Sequence, residues 1–201
     1  MFLITTLLSL DIYIIDREVC ALFAIGFIFT ASIFSTSGFS RLRVLIHELR
    51  HALVVIMSGN VLKKIVVKKT EGEVSYEMYQ EKTTSGPLIT LAPYCFPIFS
   101  LPVMIFAIVF EGDYRAIFSL ILGGTLGIDI FTAYREIHPG QTDFKQIVGG
   151  FFASALFISG VAFFWINFCL LWVVGGRNAY LYSAGIAYDI GHKIIEEVRE
   201  E

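Results

Sequence analysis

Charged residues are scarce in this chain of 201 residues: Lys, Arg, Asp and Glu together make up only 16% of it, and the formal net charge is -3. A nucleic-acid partner is therefore not expected, because binding to phosphate backbones relies on clustered basic residues. Cysteine is scarce too, and Cys20, Cys95 and Cys169 lie in apolar runs at irregular spacing. This pattern excludes a disulfide framework and a cysteine-based metal site, and indicates packing residues instead. No repeat or low-complexity linker divides the chain, so we expect residues 1–201 to form a single domain.

Hydrophobic residues are abundant, at 56% of the chain with nineteen Phe and a mean hydropathy of +0.71. A soluble domain of this size could not bury so much apolar surface, so the composition indicates an integral membrane protein that crosses the bilayer several times. Four apolar stretches reach the roughly 20 residues that a membrane helix needs. They are residues 19–39, 86–110, 115–134 and 149–174.

Two shorter apolar segments extend this prediction. Residues 44–58 are expected to form a fifth membrane helix that starts inside the bilayer or is shielded by its neighbours. Residues 1–15 lack a basic n-region and a small-residue cleavage site, so we expect them to be retained. They predict either a short sixth span or, because of Asp11, an interfacial helix. The predicted fold class is an all-α bundle of five or six transmembrane helices.

Two other segments have a different pattern. Residues 61–67 and 74–79 read as β-runs on either side of a polar turn with Gly72, which predicts a short hairpin over residues 61–79 at the membrane surface. Residues 178–200 combine spaced apolar positions with an acidic end, which predicts a C-terminal amphipathic helix.

The most informative motif is His47-Glu48-Leu49-Arg50-His51, inside the apolar run of residues 44–57. Residues four apart share one face of a helix, so His47 and His51 can offer imidazole nitrogens to one metal ion. Glu48 lies beside them and can act as general base toward a water molecule. The alternative is a pair of buried histidines that bind nothing. Polar groups within hydrocarbon are costly without partners, which favours the metal site.

A catalytic zinc site usually has three protein ligands and one open position. The third ligand must come from elsewhere in the chain, and the polar stretch of residues 135–143 offers Glu136, His138 and Asp143. Asp129, within the predicted span of residues 115–134, is a fourth candidate because a carboxylate there needs a partner. For each of the four, a solvated or helix-capping role is the alternative.

From Val44 to Leu53 the chain resembles the site-2 protease type of intramembrane zinc metallopeptidases, the M50 family. The hairpin and Ala92-Pro93-Tyr94 also resemble its small bacterial members, and the likeness covers residues 41–143. The resemblance implies Zn²⁺ held by His47, His51 and Asp143, with Glu48 as the catalytic acid and base. It also implies a multi-pass protein of the bacterial cytoplasmic membrane that hydrolyses membrane protein or peptide substrates.

The chain departs from the family pattern at two places. Gln141-Thr142-Asp143-Phe144 stands where the family has Leu-Asp-Gly, and Arg50 stands where many members have Gly. In addition, two full crossings between the histidines and Asp143 would leave them at opposite surfaces. Either the prolines of residues 86–110 break that segment into a partial crossing, or Asp129 is the ligand instead.

The expected reaction is peptide-bond hydrolysis in a polar cavity lined by Glu48, Arg50 and residues 136–143, with the hairpin able to pair with substrate as an added strand. Two other classes compete with it. A pseudoprotease or membrane scaffold would keep the fold without hydrolysis. A metal or solute transporter would use the buried polar residues as a pathway, but transporters usually show paired repeats, and none is present in this sequence.

Overall fold

The computed structural model describes residues 16–35, 39–68, 71–78, 85–112 and 114–200, which form seven helices and one β-hairpin. The segment of residues 1–15, for which a sixth span or an interfacial helix is predicted, lies outside the described residues. In chain order the elements are α1 (Arg17–Ser35), α2 (Ser40–Met57), β1 (Val61–Val67), β2 (Gly72–Glu77), α3 (Ser85–Cys95), α4 (Ser100–Val109), α5 (Arg115–Tyr134), α6 (Thr142–Lys145) and α7 (Gly150–Glu200).

Three of the described helices are long and apolar enough to cross a membrane: α1, α5 and the Gly150–Gly185 part of α7. A fourth crossing results if α3 and α4, which meet at an angle of 78°, form one broken span. The predicted helical content, candidate membrane spans and hairpin are thus confirmed, while a transmembrane bundle stays a prediction. A total of five spans stays a prediction, because the histidine-bearing helix α2 is not among these candidates.

Helices α1 and α5 pack closely because glycines line their contact. A Cβ atom at Gly26 would collide with the Leu120 carbonyl oxygen, and one at Gly123 would collide with the Phe23 carbonyl oxygen. The Thr30 hydroxyl donates a hydrogen bond across the same contact to the Gly124 carbonyl oxygen at 2.8 Å. Small residues and a hydroxyl at a helix contact are typical of membrane proteins, where close backbone approach replaces the hydrophobic effect.

The bend between α3 and α4 follows from proline chemistry. Pro97 has no N–H, so the Pro93 carbonyl four residues earlier lacks its helical donor. The Arg50 guanidinium supplies one instead, with Nη1 2.7 Å from the Pro93 oxygen. On the other side of the bend, the Asp129 carboxylate accepts the backbone N–H of Ser100 at 2.8 Å, at the N-terminus of α4. Arg50 Nη2 also lies 2.9 Å from Asp129 Oδ1. One buried ion pair therefore supplies hydrogen-bond partners to the backbone groups on both sides of the break.

The hairpin forms within the predicted residues 61–79, but β2 begins at Gly72, which the sequence pattern assigns to the turn. Strands β1 and β2 are antiparallel, with Val61 opposite Glu77 and Val67 opposite Gly72, and a register shift between Leu62 and Lys64. The hairpin packs against α2. Gly72 permits the contact, because a Cβ atom there would lie 2.5 Å from Cγ of Glu48. The first residue of β2 therefore lies directly against the predicted catalytic glutamate.

Helix α7 consists of two helices joined at Gly176, whose φ of 62° and ψ of -155° are not helical. The Glu111 carboxylate accepts the backbone N–H of Arg177 at 2.8 Å and so caps the second helix. This second helix runs to Glu200 and covers the stretch for which the amphipathic tail is predicted.

Candidate metal centre

The two histidines of the motif lie on consecutive turns of α2 and face the same side. Their ring centroids are 5.0 Å apart, and both side chains are mostly buried. Nδ1 of His51 lies 2.7 Å from the Ile89 carbonyl oxygen of α3. A carbonyl oxygen can only accept, so Nδ1 carries the proton and the Nε2 lone pair is free to bind a metal. The ring is thus fixed in the orientation and tautomer that a ligand needs.

Asp143, in the first turn of α6, is the carboxylate that faces these histidines. Its Oδ2 lies 3.5 Å from Nε2 of His47 and 3.7 Å from Nε2 of His51. Both separations exceed those of ordinary hydrogen bonds. They are close to the separation of about 3.4 Å between ligand atoms that each lie 2.0–2.1 Å from a tetrahedral zinc ion. Each of the three residues offers one ligand atom, and these atoms all lie within 4.8 Å of one another, so the group could hold a metal ion.

The ionisation state of Asp143 suits a ligand. Burial by itself raises the pKa of this carboxyl, but the two imidazoles and the Tyr94 hydroxyl outweigh burial and lower the pKa below its ordinary value. The side chain is therefore a carboxylate at neutral pH. Phe144, which is fully buried against Tyr94 and Phe151, anchors the short helix that carries it.

Glu48 lies in the same cleft, which has a volume of about 580 Å³ and is lined by α2, β2, α3 and the segment from Glu136 to Gln146. Its side chain is 5% exposed. Burial raises the pKa of the Glu48 carboxyl, although the two histidines partly oppose this shift. Its position in the cleft beside the two histidines suits a general acid and base.

The other candidate ligands are placed elsewhere. Glu136 and His138 line the cleft but do not belong to the group of three, and Glu136 lies 4.0 Å from Arg43. Asp129 lies outside the cleft, where its carboxylate pairs with Arg50 and accepts the Ser100 backbone N–H at the N-terminus of α4. The expectation that Arg50 lines the polar cavity is wrong. Successive residues are about 100° apart around a helix, so Arg50 lies on the opposite side of α2 from Glu48, and its guanidinium reaches the α3–α4 break instead of the cleft.

Tyr94 is the residue at the site whose role the sequence does not reveal. It is buried at the end of α3, and its hydroxyl donates a hydrogen bond to Asp143 Oδ2 at 2.8 Å. A tyrosine within an apolar run signals only that its hydroxyl needs a partner. Which partner it has depends on how α3 and α6 pack together.

Comparisons of the chain with profiles of known protein families, with functionally characterised proteins and with solved structures find no match. The cleft combines two histidines, a carboxylate and a buried glutamate in a chain with helices long enough to cross a membrane.

Proposed function

We propose that the chain is an intramembrane zinc metallopeptidase of the site-2 protease type that hydrolyses membrane proteins or membrane-bound peptides. The observation that carries the proposal is the convergence of His47, His51 and Asp143 at separations suited to a tetrahedral ion, with Glu48 in the same cleft. Two imidazoles and one carboxylate are a donor set typical of catalytic zinc, and they leave a fourth position open.

Zinc held by these residues would supply Lewis-acid chemistry, polarising a carbonyl group and lowering the pKa of a water molecule. The chain's own contribution is proton transfer. Glu48 takes a proton from the attacking water while the water oxygen bonds to the scissile carbonyl carbon. It then passes that proton to the amide nitrogen as the C–N bond breaks, and the second proton of the water moves from the new carboxyl group to the amine, which leaves a carboxylate and an ammonium group.

The buried position of the site supports a membrane-associated substrate. The cleft opens beside β2, whose Gly72, Val74 and Tyr76 line it, and a peptide lying there must be extended to expose its carbonyl groups. Exposed apolar side chains on neighbouring helices, such as Phe152 and Leu156 of α7, suit a hydrocarbon surrounding. A substrate segment could thus reach the cleft from the bilayer.

Hydrolysis can be tested without knowing the natural substrate. The zinc-loaded protein would be reconstituted in liposomes with a mixture of single-span peptides in ¹⁸O-labelled water, and the products analysed by mass spectrometry. Cleavage should introduce one ¹⁸O into each new C-terminal carboxylate. Glu48→Gln should keep zinc and lower the rate by about 10²–10⁴-fold. The matched control is Glu73→Gln, which changes an exposed carboxylate of the same cleft and should leave the rate nearly unchanged.

His47→Ala and His51→Ala should each abolish zinc binding, while His138→Ala, which changes a histidine of the cleft outside the group of three, should retain it. Stoichiometric zinc in the His47→Ala/His51→Ala double variant would refute the site. Zinc binding with no ¹⁸O incorporation from any peptide would instead favour the pseudoprotease or scaffold.

A further inference from the structure

Tyr94 contacts candidate metal ligands without belonging to the group of three. Tyr94 lies at the end of α3 and is 3% exposed. Its ring packs edge-on against His47, with ring centroids 5.4 Å apart. It packs at a tilt against Phe144, with ring centroids 4.8 Å apart. Its hydroxyl donates to Asp143 Oδ2 at 2.8 Å. One residue therefore contacts two of the three candidate ligands.

The hydrogen bond acts on the atom that matters for metal binding. Oδ2 is the carboxylate oxygen that lies 3.5 and 3.7 Å from the two histidine nitrogens. Asp143 itself stands on a helix of only four residues, and no side chain caps the N-terminus of that helix. An aspartate side chain has two rotatable bonds, so a fixed donor is needed to hold one oxygen toward the histidines.

Tyr94 is itself fixed relative to the histidine helix. The residue before it, Pro93, accepts the Arg50 hydrogen bond at 2.7 Å, and Ile89 one turn earlier accepts from His51 at 2.7 Å. Two bonds from α2 thus hold the last turns of α3, immediately before Tyr94. The hydroxyl is a fixed point between α2, which provides the histidines, and α6, which provides the carboxylate.

We infer that Tyr94 is a positioning residue of the metal centre: it orients Asp143 and so sets the zinc affinity, without ligating the ion. The inference rests on the proposed metal site. Groups that orient a metal ligand typically change metal affinity by about 10–100-fold when they are lost. Tyr94→Phe removes only the oxygen atom and keeps the ring packing against His47 and Phe144.

The test measures zinc affinity by chelator competition on the full-length protein in detergent. Tyr94→Phe should weaken zinc binding by about 10–100-fold. Tyr180→Phe is the matched control, because Tyr180 is a half-buried tyrosine away from the cleft whose hydroxyl also donates one hydrogen bond, to the Phe168 carbonyl oxygen at 2.8 Å, within α7. This control should leave zinc affinity unchanged.

A cobalt-substituted sample separates positioning from a general structural role. The visible bands of Co²⁺ report ligand geometry, and they should shift in Tyr94→Phe but not in Tyr180→Phe. Equal zinc affinities and identical cobalt spectra for the wild type and Tyr94→Phe would overturn the inference while leaving the metal site intact. Failure of metal-free Tyr94→Phe to fold would also overturn it, since the hydroxyl would then be a structural anchor. A wild-type protein without zinc would refute both the site and the inference.

Discussion

Asp129 and Asp143 show how the surroundings of a carboxylate decide its role. Asp129 belongs to an apolar segment and Asp143 to a polar one, and both have several partners. Asp129 pairs with Arg50 and with backbone N–H groups at the start of α4, which leaves no oxygen facing a metal site. Asp143 instead faces two imidazole nitrogens and one hydroxyl. The first set of donors stabilises the fold, whereas the second leaves room for an ion.

Substitution of these two residues should have opposite effects on zinc. Asp143→Asn should reduce zinc affinity by at least about 10²-fold, because a neutral amide oxygen is a much poorer zinc ligand than a carboxylate. Asp129→Asn should keep one zinc per folded chain. Metal analysis of the two purified variants measures this difference, and retention of zinc by Asp143→Asn with loss in Asp129→Asn would reverse the assignment.

At the scale of elements, the site depends on two contacts of α2. The hairpin lies against Glu48 through Gly72, and the α3–α4 break is held to the opposite side of the helix by Arg50. Neither contact touches the histidines. Both nonetheless determine which groups surround them, because they fix the positions of β2 and α3.

Gly72→Ala should lower hydrolysis without removing zinc. A Cβ atom at this position would lie 2.5 Å from Cγ of Glu48, so either the glutamate or the hairpin must move. A displacement of about 1 Å in a catalytic group can cost about 10²-fold in rate. The ¹⁸O assay measures the effect, with Gly160→Ala as control because a Cβ atom there meets nothing within 4 Å. An unchanged rate in Gly72→Ala would mean that the hairpin does not position Glu48.

The Arg50–Asp129 pair should show strong coupling in a double-mutant cycle. Arg50→Met alone leaves a buried carboxylate without its counter-charge, which should cost about 3–5 kcal/mol in the free energy of unfolding. Asp129→Leu in the same chain should recover part of this loss. The recovery will be incomplete, since Asp129 also caps α4. Reversible unfolding in mixed micelles measures the four free energies, and purely additive changes would contradict the proposed pair.

At the scale of the whole molecule, the metal would join parts of the chain that are far apart in sequence. The membrane-span candidates α1 and α5 hold each other through their glycine contact, and α7 closes the bundle around Met104, Leu122 and Trp172. The histidine helix α2 and the short helix α6 with Asp143 contribute no residue to this core. A bound ion would cross-link these two segments.

Chelation should therefore destabilise the protein measurably. A ligand at 100 times its dissociation constant stabilises the native state by about 2.7 kcal/mol. Metal removal should lower the midpoint of thermal unfolding by several degrees, and added zinc should restore it. The His47→Ala/His51→Ala variant is the control and should respond to neither treatment. An equal response of this variant would place the stabilising metal elsewhere.

Local features of the site and fold follow from the sequence alone. The helical spacing puts His47 and His51 on one face because that geometry involves only one turn. The two β-runs on either side of a polar turn predict the hairpin, and the long apolar runs predict the candidate spans. Pro93 and Pro97 also predict the break at residues 96–99, because a proline has no backbone N–H to donate within a helix.

Only the tertiary structure decides between the candidate third ligands. Asp129 and Asp143 are both plausible by composition, and the choice depends on a 78° bend whose angle no local pattern specifies. The same bend turns the Pro93 carbonyl and the Ser100 N–H toward Arg50 and Asp129, and it places Tyr94 beside Asp143. Buried polar groups must find partners, but the partner found depends on packing between distant segments. The sequence therefore determined that a metal-binding face exists on α2, and the packing of α3 and α6 decided what completes it.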